Sequence, residues 1–238
     1  MRLNCRPLGL CVLVVFMLII FLSLGRWQQN RGAEKERIVA LSQERSNKEA
    51  EPLSLDRIEY ESLRHLPVNV EGEYDNQHQF LLDNQVKNHQ VGYNVFTPVK
   101  IKRSEKSVLI DRGWVAQGLT RQLPPNVDIE NTGVQLTGTL YVPYGKGFRL
   151  GGLDDGEFLW PRVIQFLDFK EMSERLSYDL LPVVIRLSAE AENGFLREWN
   201  IVNMGPEKHY GYAVQWYALA LAMFIIFMIL ALKKRNDV

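Results

Sequence analysis

Cysteine is almost absent: of 238 residues only Cys5 and Cys11 carry a thiol, and both lie in the first apolar run or its flank. The rest of the chain therefore has no disulfide, no Cys-ligated metal and no thiol chemistry. Histidine is scarce too, limited to His65, His78, His89 and His209. The first three show no HxxH, HExxH or paired-carboxylate spacing, and read as surface residues at turns and strand edges. No G-x-S-x-G elbow, G-x-x-x-x-G-K-S/T loop or GxGxxG is present, so nucleophile-elbow hydrolysis and phosphate cradling lack support. Asp154, Asp155 and Glu157 read as a solvated loop rather than a cation site.

Charge is missing altogether from two long runs, Leu8–Leu24 and Tyr212–Leu232, of 17 and 21 residues. At about 1.5 Å rise per residue the second spans roughly 30 Å, the thickness of a bilayer hydrocarbon core. Lys233, Lys234 and Arg235 end it abruptly. The first follows Arg2 and Arg6 and resembles a secretory signal, but its length favours a retained anchor. The expected organisation is a transmembrane helix at 8–24, an extracytoplasmic domain at 25–211, a second transmembrane helix at 212–232 and a basic tail at 233–238. Basic residues at both ends place both termini in the cytoplasm and the domain outside. The short start leaves no room for a transit peptide, which points to a multi-pass protein of a bacterial inner membrane with a periplasmic domain.

The whole chain has 28 basic and 28 acidic side chains. Setting aside Arg2, Arg6, Lys233, Lys234, Arg235 and Asp237 leaves 23 basic against 27 acidic. A mildly acidic domain between basic tails argues against nucleic acid as a partner.

In order along the chain, GRWQQNRGAEKERIVALSQERSNKEAE predicts a helix leaving the membrane, ended by Pro52, with Trp27 in the interfacial aromatic belt. Ser54–Arg64 predicts a short helix capped by Ser54. Alternation of period two then marks strands in HLPVNVEGEY, QFLLDNQ, GYNVFTPVKI, SVLIDRGWV and GVQLTGTLYV. Turns are expected at Asn88–Gln90 and Lys102–Lys106, and a loop at Leu119–Gly133. In SVLIDRGWV, Arg112 falls on the face of Val108 and Ile110 and requires a partner if buried. WPRVIQFLDFKEMSERL predicts a strand and then a helix from Asp168 to Leu176. LLPVVIRLSAE is a further strand, and Phe195–Val202 a last extended stretch. The fold class is two transmembrane α-helices flanking a mainly-β (α+β) extracytoplasmic domain, a small barrel or curved antiparallel sheet.

His209 stands one turn before the second apolar run. In a helix, His209, Ala213, Trp216 and Ala220 share one face. An imidazole, two small residues and an aromatic surface suit a planar apolar ligand held by axial coordination, haem being the obvious candidate. Spacing alone favours a plain interfacial histidine beside Tyr210, Tyr212, Trp216 and Tyr217.

GRWQQNR fits the G-x-W-Q-x-x-R pattern that follows the first span of the surfeit locus (Surf/Shy) protein family. GYNVFTPV and VLIDRGWV resemble that family's paired central strands, PEKHYGYAVQWYALAL the opening of its second span, and WPRVIQFLDF its bacterial branch. The resemblance implies a cytochrome c oxidase assembly factor, not an enzyme, assisting delivery of haem a to the catalytic subunit. It implies His209 as ligand to the haem iron, with Trp216 and Trp27 as ring-contacting residues of a shallow interfacial pocket. Its partners would be oxidase subunit I, other assembly factors, haem a synthase and the lipid bilayer. Arg112 and Trp114 are expected to be structural. The alternative is a membrane-tethered scaffold that stabilises nascent subunit I without binding haem.

Overall fold

The computed structural model describes residues 6–55, 59–118, 124–143 and 160–236. The chain forms two compact units, one joining Met1–Leu41 with Asn200–Val238, the other Ser42–Trp199.

The helical unit is built from α1 (Arg6–Ser46), whose last residues belong to the other unit, and the C-terminal helix (Pro206–Asn236), α3 in chain order. Both are long and apolar enough to cross a membrane. The 41 residues of α1 measure about 60 Å, roughly twice a hydrocarbon core. The expected post-membrane helix is thus continuous with the span, and it stops at Ser46, ahead of Pro52. Leu10, Val12, Leu13, Phe16 and Ile19 on α1, and Val214, Leu219, Leu221, Ile225 and Ile229 on α3, are exposed. Runs of bare Leu, Ile, Val and Phe on this scale are what a bilayer covers.

Among the described residues the other unit is a mixed eight-stranded sheet with one short α-helix. Its strands are β1 (Glu51–Pro52), β2 (Pro67–Tyr74), β3 (Phe80–Lys87), β4 (Gln90–Ile101), β5 (Ser107–Ala116), β6 (Gly133–Tyr141), β7 (Arg162–Ile164) and β8 (Leu180–Leu187). They lie in the order β1-β2-β6-β8-β5-β4-β3-β7. The expected mainly-β region between two apolar helices is present, but two details of its architecture are corrected. It is not purely antiparallel, because β1–β2, β3–β7 and β5–β8 are parallel pairs. It is not a closed barrel either: β1 and β7 remain as edges. Three residue pairs, Gly72 with Ile101, Glu73 with Lys100 and Tyr74 with Val99, do join β2 to the end of β4 and curl the sheet around its core.

Local chemistry explains the connections. The two-residue turn Asn88–His89 has φ of 49° and 62°, the backbone that a tight hairpin requires and that Asn tolerates. Asp168 caps α2 (Phe169–Leu176), its side chain accepting from the Glu171 N–H. Pro182 sits inside β8, where it cannot donate. The β5–β8 register shifts between Ser107/Leu180 and Leu109/Val184, so the irregularity falls on the proline. The expected helix at Ser54–Arg64 gives, in its described part, only a 3-10 turn at Tyr60–Leu63. Phe195–Val202 makes a single bridge, Leu196 to Trp114, rather than a strand. The Asp154–Glu157 segment and part of the 119–133 loop lie outside the described residues.

The alternation of β5 decides where the cores form. Val108 and Ile110 join the larger core with Val70, Val99, Leu140 and Ile185. Leu109 faces the opposite side with Phe80, Phe96, Val184 and the α2 residues Met172 and Leu176. Both faces of the strand are therefore covered, and burying a Leu or Ile side chain contributes about 1.5–3 kcal/mol each.

Candidate functional site

The predicted face of α3 exists, and it is a packing face. Ala213 and Ala220 are buried, His209 is 8% exposed and Trp216 is half-buried. What covers them is α1, running antiparallel. Phe21 meets Trp216, with ring centroids 5.8 Å apart, and Gln28 meets His209. One step round the seam, Tyr217 lies over Gly25 and Tyr210 over Gly32. Each set repeats after seven residues on both helices, the spacing that keeps one stripe of each helix facing the other.

The glycines set the separation. A Cβ on Gly25 would stand 2.5 Å from a ring carbon of Tyr217, and one on Gly32 2.7 Å from Tyr210. Only a residue without a side chain admits these rings, the way small residues let membrane helices close up. The two phenol hydroxyls then reach past α1, Tyr210 donating to Glu36 at 2.8 Å and Tyr217 to Gln29 at 3.3 Å.

Within this seam, His209 Nδ1 lies 2.8 Å from Gln28 Oε1. A carboxamide oxygen only accepts, so Nδ1 carries the proton and donates, and the Nε2 lone pair stays available. No described residue hydrogen-bonds Nε2. An imidazole held by one nitrogen and open at the other is the donor arrangement of an axial haem or metal ligand. Among the described residues no three His, Cys, Asp or Glu side chains gather as a metal site. The donor set thus fits a group needing one protein nitrogen.

Of the other residues named from sequence, Trp216 shares the His209 face, whereas Trp27 is 54% exposed. Its neighbour Gln28, not Trp27, turns toward His209. Spacing singled out neither Gln28 nor the glycines. The signal was there: Gly25/Gly32 and Tyr210/Tyr217 repeat at seven, and Gln28 is an uncharged polar residue near the end of an apolar run, where such groups seek a partner.

The β unit holds a second polar centre. Arg112, 2% exposed, occupies a bulge between the pairs Phe96–Asp111 and Val95–Gly113, where Gly113 has φ 110°. Its Nη1 donates to Gln79 Oε1 (2.8 Å), Val127 O (2.7 Å) and Thr97 Oγ1 (3.3 Å), and its Nε to Asn193 O (2.7 Å). These bonds, with the Phe195 ring 4.8 Å beneath the guanidinium, tie two loops to the sheet. Burial lowers the Arg112 pKa to about 10. Next to it, burial pushes the Asp111 carboxyl up to about 7, against the opposing pull of Arg186 and a bond from the Gly113 N–H.

His65, expected at the surface, is instead buried. Its backbone, with φ 67°, donates to Leu140 O, and its Nε2 has no hydrogen-bond partner among the described residues. Burial, then Arg64 and Arg186, hold its pKa below the ordinary value, so the ring stays neutral. His78 bonds Asp75, and His89 is exposed in its turn.

The SURF1 family model matches residues 15–221, which take in the facing turns of both helices of the seam and the whole sheet. The chain belongs to the SURF1 family. Among curated proteins it is similar to a SURF1-like protein of Rickettsia felis, 27% identical over 93% of this chain and 95% of the relative. It is also similar to surfeit locus protein 1 of Xenopus tropicalis, 22% identical over 88% of this chain and 72% of that protein. A SURF1-like protein of Monosiga brevicollis is 23% identical over 87% and 83%. The SURF1 match thus covers Gln28, His209 and Trp216 in one continuous span.

Proposed function

We propose that this SURF1-family chain is an assembly factor for cytochrome c oxidase that receives haem a and retains it for the catalytic subunit. His209 is the axial ligand, and haem a is cargo rather than a catalytic group. The observation that carries this reading is the His209–Gln28 bond, which leaves one imidazole nitrogen free in an apolar seam. Trp216 borders that seam and Trp27 lies exposed one residue from Gln28, so both are available to an apolar ring. The setting is a bacterial inner membrane, with the β unit in the periplasm, both termini in the cytoplasm, and oxidase subunit I as the main partner. Haem a synthase and other assembly factors are further partners, and no catalytic turnover is required.

Purification from cells that make haem a tests the reading. A Soret band should accompany the wild type and vanish in His209→Ala. A colourless wild type with haem a plentiful would overturn it. The burial of His209 against α1 favours a second reading, a scaffold on nascent subunit I in which the pair merely clasps two helices. That version expects His209→Ala to retain subunit I in pull-downs, with no haem in either protein. Reporter fusions at the C-terminus check topology: activity confined to the periplasm would invert the orientation.

A further inference from the structure

The imidazole of His209 could present either nitrogen to a ligand, since rotation of the ring exchanges them. One described side chain makes the choice. Gln28 Oε1 accepts a hydrogen bond from the Nδ1–H at 2.8 Å. Gln28 cannot slide out of register, because the Tyr217 and Tyr210 rings fill the space above Gly25 and Gly32, three residues before it and four after. The other polar contacts of the seam, Tyr210–Glu36 and Tyr217–Gln29, involve exposed or half-exposed groups and do not touch the imidazole. We propose that Gln28 is a positioning residue that fixes the tautomer and ring orientation of His209, making Nε2 the ligating nitrogen. The role in ligation rests on the haem reading above; the tautomer assignment does not.

A hydrogen bond donated by the far nitrogen of a ligating histidine raises its basicity and holds its plane, and its loss typically weakens metal binding about 10–100-fold. The test uses the full chain in detergent, labelled with ¹⁵N-histidine and free of haem. Wild type should show the His209 proton on Nδ1. Gln28→Leu should move it to Nε2 or give a mixture, while Gln28→Glu, which keeps an acceptor, should hold it on Nδ1. An unchanged spectrum in Gln28→Leu overturns the proposal. Titration with haem a follows. Affinity should fall about 10–100-fold in Gln28→Leu and persist in Gln28→Glu, with a lower midpoint potential because a carboxylate makes the imidazole a stronger donor. Equal affinity in wild type and Gln28→Leu overturns the positioning role alone. A wild type that takes up no haem a overturns the haem reading, whatever the nitrogen spectra show.

Discussion

The buried His209 of the helical unit and the buried Arg112 of the β unit are satisfied in opposite ways. Arg112 donates to two backbone carbonyls and two side chains drawn from four segments of the chain. Among the described residues the His209 imidazole has a single hydrogen-bond partner, on one neighbouring helix. A helix closes its own backbone hydrogen bonds, so the α1–α3 seam asks nothing further of His209 and leaves a nitrogen spare. A bulged strand and two loops leave carbonyls that must be met, and a guanidinium with five N–H groups meets several at once. Saturated polar groups hold a fold together; an unsaturated one in an ordered seam can take a ligand.

Substitution should widen that contrast. The largest effect is expected at Arg112. Arg112→Ala takes from the Asn193 carbonyl its side-chain donor, removes one of two donors from Gln79 Oε1 and from the Val127 carbonyl, and leaves a void over Phe195; it should destabilise the β unit by about 2–5 kcal/mol. Thermal melts followed at the tryptophan fluorescence of that unit would read the loss. His209→Ala should move the same melt by less than about 0.5 kcal/mol; a comparable drop would erase the distinction between the two centres.

In the helical unit, Gly25→Val drives a side chain into the Tyr217 ring, and overpacking of this kind costs about 1–3 kcal/mol. Disulfide trapping between engineered cysteines on α1 and α3 should fall, and the double variant with Tyr217→Ala should restore it. No rescue would mean that Gly25 does not set the helix separation.

The Asp111 carboxyl offers a pH-dependent effect. Its folded pKa, about 7, lies above the ordinary value of 3.8. The native state therefore holds the proton longer than the unfolded chain. The stability it contributes is complete below about pH 4 and is lost as pH rises toward 7. The slope for one proton is at most about 1.4 kcal/mol per pH unit. Asp111→Asn should flatten urea-denaturation midpoints across that window; an unaltered slope would assign it to another group. Asp168→Ala removes the α2 cap and should cost about 1 kcal/mol, with Asp168→Ser restoring most of it.

Much of this contrast was legible in the chain itself. Period-two alternation located β2 to β6 and β8 within a few residues, and Asp168 announced the start of α2. The need of Arg112 for a partner followed from its place among Val108 and Ile110. Its partners did not, because Gln79, Val127 and Asn193 are brought together only by the bulge at Gly113 and by loop closure. The surface placement of His65 failed for a related reason. A positive φ turned that residue inward at a junction with Leu140 that no local pattern encodes. The 3-10 turn at Tyr60–Leu63 shows the limit of apolar spacing in short segments, where tertiary packing outweighs propensity.

Sequence by itself determined the two apolar helices, the mainly-β region between them, and the face on which His209, Ala213, Trp216 and Ala220 align. Each follows from a local period and from the cost of exposing or burying particular side chains. Tertiary structure decided the parallel β5–β8 pair, the curl that brings β2 to β4, and the choice of Gln28 over Trp27 as the neighbour of His209. These depend on which surfaces meet across nearly two hundred residues, and that is fixed by shape: two glycines that admit two tyrosine rings, and so set one register between α1 and α3.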